Sequence, residues 1–425
     1  MKRSTHAVRA AALAGTVALV LTACSGTDDA GTDTDTGTGG GETSASGQPL
    51  TIGTLLPVTG SLAFLGPPEI AGVDLAEQEI NEAGGVLGAD VEIIHADSSD
   101  AENAEVATQS VTDLLSQDVA VVIGAAASSV TLNVVDDITG AEVVQISPAN
   151  TSTQLSGYDP YYFRTAPSDV LQGRALGNLL AQDGHATVGF LVFNDDYGIT
   201  LRDQAKEAYE AAGGTVVYGN AGQEFDPASD DVIASVVTAA LATNPDALVV
   251  ISFDQTKLLV PALAAAGFDT SKLYFVDGNL ADYSADFEAG LLEGSKGTLP
   301  GANAAGEFRE RLLEVDPDLT DFAYSAESYD AVILSALAAV RGGATDGPTI
   351  QQNLAAVSGA EGGTECAGFA ECADLLESGE EIDYEAVSGA GPFNEDNDPS
   401  AALIGIYQFG PDNKYTWVSE VPGEL

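Results

Sequence analysis

Residues 119–131 read Val119-Ala-Val-Val-Ile-Gly-Ala-Ala-Ala-Ser-Ser-Val-Thr131. The opening apolar run, Val119 to Ile123, is short and rich in β-branched residues, as in a strand buried on both faces of a parallel sheet. Gly124 lets the backbone turn without a Cβ penalty. Three alanines keep the floor of the turn small, and Ser128 and Ser129 stand where a helix begins. A helix start has free N–H groups and partial positive charge, so an anion can settle there. Serines in this place also cap their own helices, and from this stretch alone both readings stand.

On either side the same rhythm continues. Strand patterns at 50–55, 91–95, 119–123 and 143–146 alternate with helix patterns at 67–83, 101–115 and 128–137, the first helix closed by Gly84 and Gly85. After Tyr161-Tyr162-Phe163-Arg164-Thr165 the alternation starts again. Strands are predicted at 187–193, 214–218, 247–251 and 273–276, and helices at 168–183, 198–212, 229–242 and 255–266. Such alternation calls for parallel sheets with helices on both faces. A helix-rich part follows, with helices at 303–314, 322–341 and 349–357. It has no sheet of its own and is expected to pack back on the first unit. Strands at 402–409 and 414–418 are expected to join the second. The fold class is therefore α/β, with two doubly wound lobes joined by a hinge crossed near 165, 298 and 390, and a cleft between them. The expected organisation is 49–165 plus 299–388 for lobe 1 and 166–298 plus 389–425 for lobe 2.

Ahead of the body, residues 1–24 read as an export signal: Lys2, Arg3 and Arg9 precede an apolar run from Ala10 to Leu21 that is short for a membrane span. It ends in Leu21-Thr22-Ala23-Cys24, which resembles a bacterial lipoprotein cleavage box with Cys24 as the lipidated residue. Residues 25–48 are almost all Gly, Thr, Ser, Asp and Ala, a composition that buries too little apolar surface to offset its ordering entropy. They read as a tether that lifts the body off the membrane.

Charge and rare residues narrow the function. The chain has 425 residues, with 14 Lys+Arg against 65 Asp+Glu and a net charge of −51. Nucleic acid is excluded as a partner, because affinity for it comes mainly from basic residues meeting phosphates. Three cysteines are too few for a zinc cluster or a disulfide-built fold. In an oxidising exterior, Cys366 and Cys372 are expected to form one local disulfide. No HExxH, Walker-type phosphate loop or GxSxG motif is present, and His95 and His185 lack a catalytic setting. No cofactor is expected, and the chain does not read as an enzyme.

In open parallel sheets, ligands sit beyond the carboxyl ends of the strands. The first unit places hydroxyls and backbone amides there: Thr59, Gly60, Ser128, Ser129, Ser147, Asn150 and Thr151. The second places carboxylates and aromatics: Asp195, Asp196 and Tyr197, then Phe253 and Asp254, then Asp277. Such a cleft suits a small zwitterion. Each of these residues also has a plain structural reading. Tyr197 and Gly198 can simply start a helix, Asp277-Gly278 can be a turn, and Thr151 and Asp254 can be caps.

Taken together, Thr59-Gly60, Asn81-Glu82-Ala83-Gly84-Gly85, Ser128-Ser129, Ser147-Pro148 with Thr151, Tyr162-Phe163-Arg164-Thr165, Asp196-Tyr197-Gly198, Asp277-Gly278 and Tyr329-Asp330-Ala331 carry a resemblance. In order and spacing, the body is similar to the branched-chain amino-acid (Leu/Ile/Val) class of solute-binding lipoproteins of ABC importers, which have the type I periplasmic-binding-protein fold. The resemblance implies that Ser128 and Thr151 hold a ligand carboxylate, helped by main-chain groups at Ala126, Asn150 and Thr151. It implies that Asp277 takes the ammonium and that Tyr197 and Phe253 wall the cleft. Two positions depart from it: Leu65 stands where relatives often have a large aromatic, with Phe64 beside it to fill the space, and Phe253 stands where leucine-binding relatives often have tyrosine. The implied partners are an amino acid, ABC permease subunits and the membrane through a lipid anchor, for a monomeric protein on the outer face of the cell membrane. The second reading is a binding or sensor protein of the same fold for an amide or urea.

Overall fold

The computed structural model describes residues 47–425; the export signal, Cys24 and nearly all of the tether lie outside the described residues. The first half is built from β1 (Thr51–Leu56), α1 (Gly66–Glu82), β2 (Glu92–Asp97), α2 (Ala104–Leu115), β3 (Val121–Gly124), α3 (Ser128–Thr139), β4 (Val144–Ser147) and β5 (Tyr162–Arg164). The second is built from α4 (Asp169–Gln182), β6 (Thr187–Val192), α5 (Asp196–Ala211), β7 (Thr215–Tyr218), α6 (Ile233–Leu241), β8 (Ala247–Ile251), α7 (Thr256–Ala265), β9 (Leu273–Phe275) and β10 (Lys296–Pro300). The remainder comprises α8 (Gly306–Val315), α9 (Ser325–Gly342), α10 (Gly347–Val357), β11 (Thr364–Cys366), α11 (Gly368–Ser378), β12 (Ile382–Tyr384), β13 (Ala401–Phe409) and β14 (Tyr415–Glu424).

These strands form a five-stranded sheet, β2-β1-β3-β4-β5, and a seven-stranded sheet, β14-β13-β10-β9-β8-β6-β7. Every pairing in the first is parallel. In the second, β7 to β10 are parallel, while β13 and β14 add on antiparallel. β3 shows why the sheet is covered twice. Val121 and Ile123 face one core and Val122 the other, and all three are fully buried. Each such side chain contributes about 1.5–3 kcal/mol of burial free energy. After β3, Gly124 takes φ +126°, and a Cβ there would stand 2.1 Å from the Leu55 carbonyl oxygen, so only glycine fits.

α9 is the central helix of the first lobe, packed against α1, α10 and α11. It is buried from Ser325 to Ala339, and its contact with α1 is close enough that a Cβ on Gly72 would meet the Ser325 carbonyl oxygen at 2.1 Å. The segment holding Cys366 and Cys372, read from sequence as an excursion, contains a small parallel pair, β11 with β12, and the helix α11. The two cysteines are joined, with Cα atoms 5.4 Å apart. Phe369 and Cys372 enter the core of the first lobe, and that burial turns a Gly- and Glu-rich stretch into a packed element.

The chain passes between the two sheets after β5, after β10 and after β12. The last passage is fastened to β5 by a buried ion pair. Arg164 Nε donates to Asp398 Oδ1 at 2.6 Å and Nη2 to Oδ2 at 2.7 Å, while Nη1 donates to the Ser152 carbonyl at 2.8 Å. Both side chains are almost wholly removed from water. Removing one partner leaves a buried charge uncompensated, at a cost of roughly 3–5 kcal/mol. Asp398→Ala is therefore expected to lower unfolding stability by that amount in urea titration, whereas loss of the exposed Lys272–Asp269 pair should change it by less than about 1 kcal/mol.

Candidate ligand-binding cleft

Strand order reverses between β1 and β3 in the first sheet and between β6 and β8 in the second. At such a reversal neighbouring connections leave on opposite faces, which opens a crevice at the carboxyl ends of the strands. The loops that issue there meet. Leu65 comes after β1, Ala126 and Ser128 after β3, and Asn150 after β4; Tyr197 comes after β6, Phe253 after β8 and Asp277 after β9. All of them line one cavity. Its free space is about 10 Å³, room for roughly one water-sized sphere.

Asp277 is the electrostatic centre of this cavity. Its Oδ1 accepts from Tyr197 Oη at 2.6 Å and Gln172 Nε2 at 2.8 Å, and its Oδ2 accepts from Tyr324 Oη at 2.8 Å. All three donors are neutral, and among the described residues no Lys, Arg or His lines the cavity. Burial pushes the Asp277 carboxyl up, and the hydrogen bonds from Tyr197, Gln172 and Tyr324 pull the other way. A carboxylate offers about four acceptor positions, so one on Oδ2 remains for a further donor.

Opposite it stands the start of α3. The capping position is occupied by Ala127, and no side chain caps the helix. The cap reading of the serines therefore fails here: Ser128 is the first residue of the helix itself. The first-turn N–H groups have no partner within the helix, and the Ser128 hydroxyl, which accepts from Ser152 N at 3.3 Å, keeps its own proton to donate. The cleft thus has a donor half with partial positive charge and a carboxylate half.

The aromatic wall is a stack. Tyr197 and Phe253 lie 5.7 Å apart and nearly parallel, with Phe193 against Phe253 at 4.8 Å. Tyr197 also sits in the first turn of α5, which Asp195 caps, so it both starts a helix and lines the cleft. Asp277-Gly278 is likewise both a short 3-10 turn and part of the site. Asn150 lines the cavity, but its side chain is already engaged, donating to Thr131 Oγ1 at 2.8 Å and accepting from Tyr162 Oη at 2.6 Å.

Two expected residues stand outside the lining. Thr151 is fully buried, and its hydroxyl lies beside Asp169 without hydrogen-bond geometry. Phe64 packs half-buried against the hydrophobic core, and it is Leu62 with Leu65 that reaches the cavity. Asp254 is exposed and pairs with Lys257 at 3.1 Å.

Tyr324 and Gln172 were not anticipated. Tyr324 precedes α9 in the left-handed region, φ +59°, a costly conformation for tyrosine that aims its hydroxyl at Asp277 across the cleft. The helical pattern read as starting at Phe322 concealed it. Gln172 lies on the buried face of α4, where nothing in the local pattern distinguishes it from core packing.

A family model described as periplasmic binding protein matches residues 49–373. The chain belongs to the periplasmic binding protein family. Periplasmic binding proteins are solute-binding proteins that work outside the cytoplasm, and this chain is one of them. It is 26% identical over 360 residues to the chemotactic signal transduction system substrate-binding protein BasB of Halobacterium salinarum, covering 81% of this chain and 83% of that protein. It is 32% identical over 161 residues to a leucine-, isoleucine-, valine-, threonine- and alanine-binding protein of Pseudomonas aeruginosa, covering 37% of this chain and 42% of the relative. The fold matches that of the branched-chain amino acid transporter substrate-binding protein LivJ of Streptococcus pneumoniae, solved with isoleucine, at TM-score 0.72 and 23% identity, covering 89% and 100% of the two chains. It also matches the leucine-binding protein LivK of Thermotoga maritima at TM-score 0.72 and 19% identity, covering 88% and 98%. Among the described residues, no helix of this periplasmic binding protein is long and apolar enough to cross a membrane.

Behind Asp277 lies a second buried acid, Asp169, which accepts from the Thr200 hydroxyl. Burial pushes its carboxyl up to about 7, from roughly 3.9 in an unfolded chain. A folded state that holds the proton more tightly is favoured at low pH, and that contribution disappears as pH rises through the folded value. The buried carboxyls of Asp277 and Asp195 are raised in the same direction. Stability against urea is expected to fall between pH 4.5 and 7.5, and Asp169→Asn should flatten the decline.

Proposed function

We propose that this protein is the extracytoplasmic receptor of an ABC importer. It captures a branched-chain or other aliphatic amino acid between its lobes and presents it to a membrane permease. The observation that carries the reading is Asp277: a buried carboxylate held by three neutral donors, with no basic side chain in its cavity, facing an uncapped helix start. An uncompensated buried charge costs several kcal/mol. An incoming ammonium supplies the missing cation at the open position on Oδ2, and a carboxylate finds Ser128 and the N–H groups of α3. Leu62, Leu65 and Phe253 offer apolar surface between those ends, which the ligand side chain meets once the cleft has opened to admit it.

Tyr324 reaches Asp277 from the first lobe, so ligand entry requires the lobes to part and this contact to open. The three passages between the sheets are where such bending is accommodated. Cys24 is the proposed lipid attachment and the stretch after it the tether, which keeps the receptor at the outer face of the membrane as a monomer. A sensory role is the second reading, favoured by the resemblance to BasB over most of both chains. Uptake of labelled ligand by cells with and without the gene separates import from sensing.

The roles of the two cleft halves are testable by calorimetry. Asp277→Asn is expected to weaken amino-acid binding at least tenfold, about 1.4 kcal/mol or more. Ser128→Ala should cost less, because the N–H groups of α3 remain. Thr151→Val, outside the lining, should cost least. Unchanged affinity in Asp277→Asn would remove that residue from the site.

A further inference from the structure

A second cavity, of about 310 Å³, adjoins the cleft, and Tyr324 lines both. This lies at the lower end of the ~300–1,000 Å³ typical of small-molecule sites. Its walls come from three places: Tyr407, Tyr415 and Trp417 on β13 and β14 of the second sheet, the passage from β10 to α8, and Arg309 with Phe322 of the first lobe. Nothing in the capture of an amino acid at Asp277 uses it.

The chemistry of the cavity is legible from which of its polar groups are already engaged. Both carboxylates are. Asp282 accepts from Lys414 Nζ at 2.7 Å and from Ser284 N at 2.9 Å. Asp321 accepts from Ala323 N and Tyr415 Oη, each at 2.9 Å. Two donors are not. The Arg309 guanidinium lies over the Phe322 ring, 4.2 Å from its centroid, and forms no ion pair among the described residues. Stacking over a ring leaves the N–H edge of a guanidinium open for bidentate bonds. The hydroxyl of the mostly buried Tyr407 makes no hydrogen bond among the described residues, and its ring meets Tyr415 edge-on at 5.3 Å. Trp417 is 46% exposed at the mouth. Open donors, paired carboxylates and aromatic walls select a planar apolar body that carries an acceptor. In a chain of net charge −51 the overall field opposes an anion, so its recognition must be local, and Arg309 supplies it.

We propose that this cavity is a second ligand site, for a small aromatic carboxylate, with Arg309 and Tyr407 as donors to the carboxylate and Phe322, Tyr415 and Trp417 around the ring. An occupant there touches both lobes and the passage between them. The site is independent of the amino-acid reading of the cleft, since neither Arg309 nor Tyr407 hydrogen-bonds Asp277.

The chain contains a single tryptophan, Trp417, so its emission reports on this cavity alone. Benzoate and phenylacetate, titrated into the full chain with excitation at the long-wavelength edge of the indole band, are expected to give a saturable change in emission. Arg309→Gln, at an exposed residue, should weaken that response at least tenfold with its unfolding midpoint unchanged, and Tyr407→Phe should weaken it several-fold. Asp277→Asn should leave it intact, and benzylamine should produce none. The proposal is overturned if neither carboxylate gives a saturable change, if Arg309→Gln responds like the parent, if benzylamine binds as well as benzoate, or if Asp277→Asn abolishes the response.

Discussion

A buried carboxylate with no cation beside it is the constraint around which this molecule is arranged. Asp277 is held by Tyr197, Gln172 and Tyr324, three neutral donors drawn from both lobes. Hydrogen bonds reduce the cost of burying the charge but do not balance it. The parallel sheets explain how such a group comes to face a helix start. Parallel strands deliver all their following loops to one end, and the loops of the two sheets meet there, with Asp277 and Ser128 in the same cavity. The polarity of the cleft, acid on one side and N–H groups on the other, is thus a consequence of topology and of where one aspartate falls.

The alternation of strands and helices was legible because buried parallel strands are short continuous apolar runs, and β3 and β8 show that pattern plainly. The loops that follow such strands could be named from sequence, and Ala126, Ser128, Asn150, Tyr197, Phe253, Asp277 and Leu65 do share one cavity. What sequence did not reveal depends on tertiary contacts. β10 reads Lys-Gly-Thr-Leu-Pro and has no strand signature; it exists because β9 and β13 pair with it on either side. The antiparallel direction of β13 and β14 is set by pairing and has no local signal. Tyr324 was absorbed into a helix pattern, although the helix begins one residue later and the tyrosine takes a left-handed turn. Thr151 and Phe64 belong to the right loops but do not line the cavity, which spacing alone cannot distinguish.

Acidity reaches the interior as well as the surface. Glu69 on α1 and Glu327 on α9 are fully buried, burial pushes both carboxyls well above the usual range, and neither oxygen of Glu69 has a hydrogen-bond partner among the described residues. Burial also raises the carboxyls of Asp169 and Asp277, the latter against the pull of its three hydrogen bonds. The buried bases are far fewer, and the most deeply placed, Arg164, is fully occupied in fastening the last passage to β5. The structural cations are therefore engaged elsewhere, and none is left in the cleft to neutralise Asp277.

The central claim is that both charged ends of the ligand are recognised at once. Calorimetry with leucine, with 4-methylpentanoate, which lacks the ammonium, and with 3-methylbutylamine, which lacks the carboxylate, addresses it directly. The account predicts binding of leucine and a loss of at least tenfold for each truncated compound, about 1.4 kcal/mol or more apiece. Equal affinity for leucine and 4-methylpentanoate would contradict it, because Asp277 would then have no cation to receive.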